Sequence, residues 1–328
     1  VSVILFRRMN LPPMLGYLVV GALIGPHAFN LLEGFSGAQN FAEFGVVFLM
    51  FSIGLEFSLP RLVAMKRIVF GLGGLQVLLT LLVVTAIAWA FGLSWQAGMA
   101  LGGVVAMSST AVLTKLLTER LELDAPHGRE VMGVLLFQDL AVVPLLVLIP
   151  AFSRTAEEMV VVMGIALLKA ALLLALVFLL GKRLLGRWFL TVARGKSAEL
   201  FILNMLLVTL GMAWLSESAG LSMALGAFVA GMLISETEFR YQVEEDIKPF
   251  RDVLLGLFFV TVGMMLNIPL VFANLLLVLA VLLALLVVKF ALVFGLSRLF
   301  GSMTGGAMRS GLWLCAGGEF GFVLLTEI

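Results

Sequence analysis

Of the 328 residues, 62% are hydrophobic and only 12% are charged, against about 45–50% and roughly 25% in ordinary soluble domains. At a mean hydropathy of +1.16 no water-soluble fold of this length could hide so much apolar side chain, so the chain reads as an integral membrane protein. Twenty-one Lys and Arg balance 20 Asp and Glu, leaving no basic surplus for nucleic acid, and the single Cys315 with two histidines forms neither an internal disulfide nor a Cys/His metal cluster.

In chain order, the sequence opens at Val1 rather than Met and stops at Ile328 inside an apolar run, which reads as a segment trimmed at both ends. No signal peptide is visible. After a stub at residues 1–6, apolar runs of spanning length are expected at about 13–29, 41–57, 68–92, 96–118, 130–152, 158–181, 199–217, 220–235, 250–267, 270–297 and 308–328. The runs 13–29 and 220–235 are short and broken by glycine. Thirty-four glycines in all point to close helix packing and interrupted helices.

Lys and Arg crowd into every second break, at Arg7 and Arg8, Arg61 to Arg67, Lys115 to Arg129, Lys182 to Lys196, Arg240 to Arg251, and Arg298 to Arg309. The intervening breaks hold Arg154 alone. Positive charge marks the cytoplasmic side, so the stub runs inward and the chain points outward at Ile328. One further helix would return it to the cytoplasm.

The sequence also matches itself. Leu15-Gly16, Gly21, Leu23 and Ile24 recur as Leu225-Gly226, Gly231, Leu233 and Ile234; Phe41, Gly54 and Pro60 recur as Phe250, Gly263 and Pro269. Gly103 and Ser108-Ser109-Thr110 align with Gly311 and Ala316-Gly317-Gly318. An odd number of spans separates the partners, so the halves are expected in opposite orientation, the arrangement that places a transport site at the midplane of secondary transporters.

Ionisable groups at mid-span are costly and therefore candidates for function. Asp139 follows Gln138, and Pro144 lies five residues on, where its missing N–H frees the carbonyl of Leu140. A carboxylate beside an amide and a freed carbonyl suits a dehydrated monovalent cation; the alternative is an Asp satisfied by hydroxyls of a neighbouring helix. Ser108-Ser109-Thr110 follows Gly102-Gly103, and its repeat mate is Ala316-Gly317-Gly318-Glu319. Such clusters mark broken helices that would cross near Asp139, although hydroxyls in a helix also serve as packing glue. Lys289 needs either an acid, for which Glu319 is the natural choice, or the negative ends of half-helices. Lys169 either snorkels or packs. Glu43 and Glu56 lie near span ends, and His27 and His127 read as interfacial or loop residues. The charge-dense segment Ser235 to Lys248, with Glu244, Glu245 and Asp246, is either a solvated loop or an acidic docking surface.

These residues carry a resemblance. Phe137-Gln138-Asp139 with Pro144, Ser108-Ser109-Thr110, Asp246-Ile247-Lys248-Pro249-Phe250, and Leu254-Leu255-Gly256-Leu257-Phe258-Phe259 followed by Val262-Gly263-Met264 resemble the Kef-type potassium efflux antiporters of the monovalent cation:proton antiporter superfamily. The likeness covers the whole chain. It implies an all-α polytopic membrane protein with an NhaA-type inverted-repeat fold and crossed discontinuous helices, nominally thirteen, the first truncated and the last missing here. It implies dimerisation or scaffold helices at about 1–57 and 199–267, an ion-transporting core at 68–152 and 270–328, and a linking helix at 158–181, assembled as a homodimer in the lipid of the bacterial inner membrane. Potassium would be held at Gln138 and Asp139, with Ser108, Ser109 and Thr110 lining the first crossover, Gly317, Gly318 and Glu319 the second, and Lys289 facing them. The implied partner is a C-terminal, cytoplasmic, nucleotide-binding regulatory domain contacted by Glu244, Glu245 and Asp246. The cofactors it implies, a nucleotide and glutathione, belong to that domain and not to this chain. At Tyr241 and Lys248 the segment departs from glutathione-gated relatives, which carry His and an acid there.

The expected function is exchange of cytoplasmic potassium for external protons at one titrating group, not enzymatic chemistry. Gln138 does not titrate, so one proton against one cation is expected and no net charge moves. A sodium:proton antiporter shares all of this architecture. A ligand-gated cation channel is the rival of a different class, against which the inverted repeat and the lone mid-span carboxylate weigh.

Overall fold

A computed structural model describes residues 13–29, 37–56, 59–151, 187–192, 197–318 and 320–325, with a few positions between 164 and 195. The apolar runs fold as helices: α1 Pro13–Ile24, α2 Gly37–Glu56, α3 Leu59–Ala64, and a π-helical stretch Arg67–Gly73 leading directly into α4 Gly74–Ala90. There follow α5 Trp95–Ala106, α6 Thr110–Glu119, α7 Pro126–Ala151, α8 Ala198–Ser218, α9 Met223–Ser235, α10 Arg240–Met264, α11 Ile268–Ala273, α12 Leu275–Leu299, α13 Thr304–Leu314 and α14 Phe320–Leu325. Local chemistry sets the ends. Ser94, Ser109, Ser197 and Ser222 cap α5, α6, α8 and α9, each side chain accepting from the amide three residues on, which satisfies an otherwise orphaned donor. Gly92, Gly220 and Gly301, all at positive φ, end the chain's course through α4, α8 and α12.

Several expected spans differ in detail. The run 96–118 is two half-helices, α5 and α6, parted at residues 107–109, and the last run is likewise divided between α13 and α14. The run 270–297 breaks at Asn274, with Asn267 capping the short α11 through the Leu270 amide. The segment with Glu244, Glu245 and Asp246, expected as a loop, is helical from Arg240. Val243 and Ile247, four residues apart, bury one side of it, and Pro249 sits inside the helix. The stub at 1–6, and nearly all of the run 158–181, lie outside the described residues. Lys169 does appear, and its Nζ donates to the Ala219 carbonyl, 2.8 Å away, just past the end of α8.

The chain divides into two units. One takes Val1–Phe57 and Lys169–Val278, the other Ser58–Leu168 and Leu279–Ile328.

In the first unit helices meet backbone to backbone. A Cβ on Gly54 would lie 2.2 Å from the Phe228 carbonyl oxygen, and one on Gly231 would lie 2.1 Å from that of Phe51, where α2 crosses α9. Where α1 crosses α10, a Cβ on Gly21 would meet Val260 O at 2.0 Å and one on Gly263 would meet Leu18 O at 2.3 Å. Helix α9 is buried on every side from Ala224 to Ile234, as expected of a helix without a polar face.

The second unit is built on a core that gathers Leu72, Leu113, Leu117, Val134, Leu135, Val293 and Leu314 from the π-helical stretch, α6, α7, α12 and α13. Close approach again depends on glycine. Gly73 faces Phe137 of α7, its ideal Cβ 2.6 Å from that residue's own, and Gly102 of α5 faces the backbone of Leu81 in α4. Among the described helices, Arg67–Ala90, Glu199–Ser218 and Leu275–Leu299 are long and apolar enough to cross a membrane singly. The last leaves Leu276, Leu277, Leu279, Leu282 and Leu283 exposed, an apolar face of the kind that meets lipid or another protein surface.

Candidate functional site

The break between α5 and α6 exposes backbone that no helix satisfies. Met107 is extended, and the carbonyl of Met107 and the amide of Ser108 need partners from elsewhere, whereas the Ser109 carbonyl already accepts from the Leu113 amide of α6. Side chains supply them. The Ser108 amide donates to Gln138 Oε1 at 2.8 Å, and the Ser108 hydroxyl donates to the Leu314 carbonyl at 3.0 Å. The Met107 carbonyl accepts from Lys289 Nζ at 2.6 Å. On the other side of the break, Thr110 Oγ1 donates to Asp139 Oδ1 at 2.8 Å. All of these groups belong to the second unit. Gln138, Ser108, Lys289 and Asp139 are buried, the last two only 1% and 7% exposed.

The charges are placed to match the half-helices. Lys289 also donates to the Ala316 carbonyl at 3.1 Å. One ammonium therefore serves the C-terminal, negative ends of both α5 and α13. Of the two partners open to Lys289 in the sequence, the structure shows the half-helix ends, whereas Glu319 lies outside the described residues. Asp139, conversely, stands beside the first residue of α6, a positive helix end. Ser109 caps that same helix through the Val112 amide at 3.4 Å.

The two breaks touch through backbone. A Cβ on Gly318 would fall 2.4 Å from the Ser108 carbonyl carbon and 2.6 Å from the Ser109 nitrogen, whereas one on Gly317 would meet nothing within 4 Å. The paired glycines of the motif are thus unequal. Gly318→Ala should push the crossing apart and cut transport at least tenfold, while Gly317→Ala should leave stability within about 0.5 kcal/mol of the parent. Thermal melts and flux on the two purified variants check this; equal behaviour would show that the crossing tolerates a methyl group.

Some residues of the cluster carried little sequence signal. Gln76 and Thr80, both fully buried in α4, extend the polar cluster: Gln138 Nε2 donates to Gln76 Oε1 at 2.8 Å. A lone amide in the run 68–92 was the available clue. Glu130, near the start of α7, accepts hydrogen bonds from Ser302 and, at 2.8 Å, from Ser310. It borders a cavity of about 450 Å³ shared with Pro126, His127, Ser302 and Arg309, about 13 Å along α7 from Asp139. Beside it, His127 approaches Glu122 at 3.0 Å, and that hydrogen bond holds the Glu122 carboxyl below its usual range. Glu244, Glu245 and Asp246 are in the first unit, on α10, and form no part of this cluster.

Over residues 1–327 the sequence matches the family described as sodium/hydrogen exchanger, transmembrane. The chain belongs to that family. The chain is 47% identical over 323 residues to the K(+) efflux antiporter 2, chloroplastic, of Arabidopsis thaliana, covering 96% of this chain and 28% of that protein. It is 44% identical over 326 residues to a protein of Alkalimonas amylolytica provisionally named as the K(+) efflux antiporter KefB, covering 99% of this chain and 49% of that one. The chain therefore spans between a quarter and a half of the length of these relatives. Its fold is that of the sodium proton antiporter MjNhaP1 of Methanocaldococcus jannaschii, with a TM-score of 0.71 at 18% identity over 98% of this chain and 81% of the other. Family and fold together make the chain part of a multi-pass, helical membrane protein with an antiporter fold, as the Kef resemblance implied.

Proposed function

We propose that this exchanger carries potassium out of the cytoplasm against protons moving in, one for one, at a site formed by Asp139 with Gln138, Ser108, Ser109 and Thr110. The hydrogen bond from Thr110 to Asp139 at the start of a half-helix is the observation that carries the reading. It places a nearly buried carboxylate next to hydroxyl oxygen and an unwound backbone, the donor set a dehydrated alkali cation needs. With the carboxylate ionised, a cation arriving there takes the Thr110 oxygen as a ligand; with the carboxylate protonated, the cation has no counter-charge and leaves. Proton and cation thus compete for one group, and competition is sufficient for exchange once the site faces each side in turn.

The names of the relatives favour potassium, and the family description and the structural neighbour keep sodium as the second reading. Residues 1–57 and 199–267 are the scaffold and dimerisation part and 68–152 and 270–328 the moving core, with the run 158–181 as link. Support for an inverted repeat comes from the glycine crossings: Gly54 meets Gly231 and Gly21 meets Gly263, while the repeat pairs Gly21 with Gly231 and Gly54 with Gly263. A two-fold relation between halves produces such an exchange of partners. A bacterial inner-membrane homodimer, and Glu244, Glu245 and Asp246 as the contact for a cytoplasmic nucleotide-binding domain, complete the reading.

Proton flux in sealed proteoliposomes with potassium, sodium, rubidium or lithium added in turn tests it, and a response to sodium alone would replace potassium. Because Gln138 does not titrate, the exchange should move no net charge. A potassium gradient at fixed pH should then give no current on a solid-supported membrane. A sustained current would overturn the one-for-one ratio.

A further inference from the structure

Gln138 is held in one orientation by a chain of amides that begins on another helix. The Ser108 N–H is a donor, so the Gln138 atom facing it is the oxygen, and the Gln138 amino group is turned towards Gln76, where it meets Oε1. Gln76 in turn directs its amino group at the Ala106 carbonyl, 3.2 Å away, and at Thr80 Oγ1, 3.1 Å away. Thr80 cannot reverse this pattern, because its own hydroxyl donates to the Gln76 backbone carbonyl at 2.7 Å. A backbone acceptor closes one end of the chain and a backbone donor closes the other. Neither amide can flip without setting donor against donor or acceptor against acceptor. Ala106 and Ser108 are the last residue of α5 and the middle residue of the break. The chain Ala106–Gln76–Gln138–Ser108 therefore bridges the gap in the broken helix from the side.

We propose that Gln76 is a positioning residue of the transport site: it fixes the polarity of Gln138, and through it the unwound backbone beside Asp139, and so sets the apparent affinity for the cation. The proposal rests on the reading of Asp139 as the exchange site. The glycine at the end of the π-helical stretch makes it possible, because Gly73 lies against Phe137 and Gln76 is one turn further on, opposite Gln138. Of the neighbouring elements, α5 carries no ionisable side chain. Helix α7 carries Asp139 beside Gln138, with His127, Arg129 and Glu130 two or more turns nearer its start.

Two substitutions separate positioning from packing. In Gln76→Leu the carbonyl of Ala106 and the amino group of Gln138 both lose their partner, and the potassium concentration for half-maximal exchange should rise about tenfold, equivalent to about 1.4 kcal/mol, with a smaller change in maximal rate. In Gln76→Glu the new carboxyl reproduces the native pattern only when protonated, donating to Ala106 O while accepting from Gln138. Half-saturation should be near the parent's in acid, and the ratio of the variant's half-saturation to the parent's should climb as the pH rises, over and above the dependence that proton competition at Asp139 gives both. The measurement is proton flux against potassium concentration across pH in proteoliposomes, with thermal melts in parallel. Should Gln76→Leu fail to fold, the pH profile of Gln76→Glu decides. Parental half-saturation and pH profile in the folded variants would reduce Gln76 to packing and overturn the proposal. Failure of the underlying reading looks different: Asp139→Asn would then exchange as well as the parent.

Discussion

Asp139→Asn should abolish cation-coupled proton movement altogether, while the protein still folds and keeps its oligomeric state. The side chain is nearly isosteric, and its amide can still engage Thr110, so the local cluster survives. What disappears is the group that exchanges a proton for a cation. A loss of three orders of magnitude or more is expected, with a melting temperature equal to or above the parent's, since a buried charge has been removed. Flux in proteoliposomes and a thermal melt measured on the same preparation check both halves. Residual exchange in this variant above a few per cent would require a second titrating group.

Lys289→Ala has the opposite profile. Here the loss falls first on stability, because one ammonium satisfies the carbonyls of Met107 and Ala316 together. Each orphaned buried acceptor costs about 1–3 kcal/mol, and the charge that offsets two negative helix ends goes with them. A fall in melting temperature of about 5 °C or more is expected, together with a changed pH dependence of exchange. Lys289→Gln separates the two effects: it retains a donor for one carbonyl but no charge, so it should recover part of the stability and none of the pH dependence. If Lys289→Ala melts with the parent, the two half-helix ends find other partners.

The break at Ser108-Ser109-Thr110 and the prominence of Asp139 and Lys289 were legible in the sequence because polar groups inside a long apolar run are costly enough to need a reason. Their partners were less legible. Lys289 is bound by main-chain carbonyls, which every residue carries and no sequence pattern displays. Gln76 gives no comparable signal because an uncharged amide in an apolar run is inexpensive, and only the three-dimensional approach of α4 to α7 gives it a role. Glu130 heads a helix next to a charged break, where an acid is unremarkable, and its serine partners lie more than 170 residues away. The helical course of Arg240 to Lys248 was hidden for another reason. Hydropathy finds the apolar part of a helix and stops where charge begins, whereas the backbone pattern continues for as long as one side, here Val243 and Ile247, is covered.

The glycine crossings of the first unit have a mechanical consequence. Helices that meet through side chains can slide by small steps, because each side chain has alternative rotamers that repack the seam. At Gly54 against Gly231, and Gly21 against Gly263, there is no side chain to turn, and carbonyl oxygens sit where a methyl group would otherwise be. These seams have a single register and no soft coordinate. Each pair of helices so joined should behave as one stiff unit, its amides among the slowest in the protein to exchange with deuterium, so that any large displacement during a transport cycle must be accommodated outside the seams.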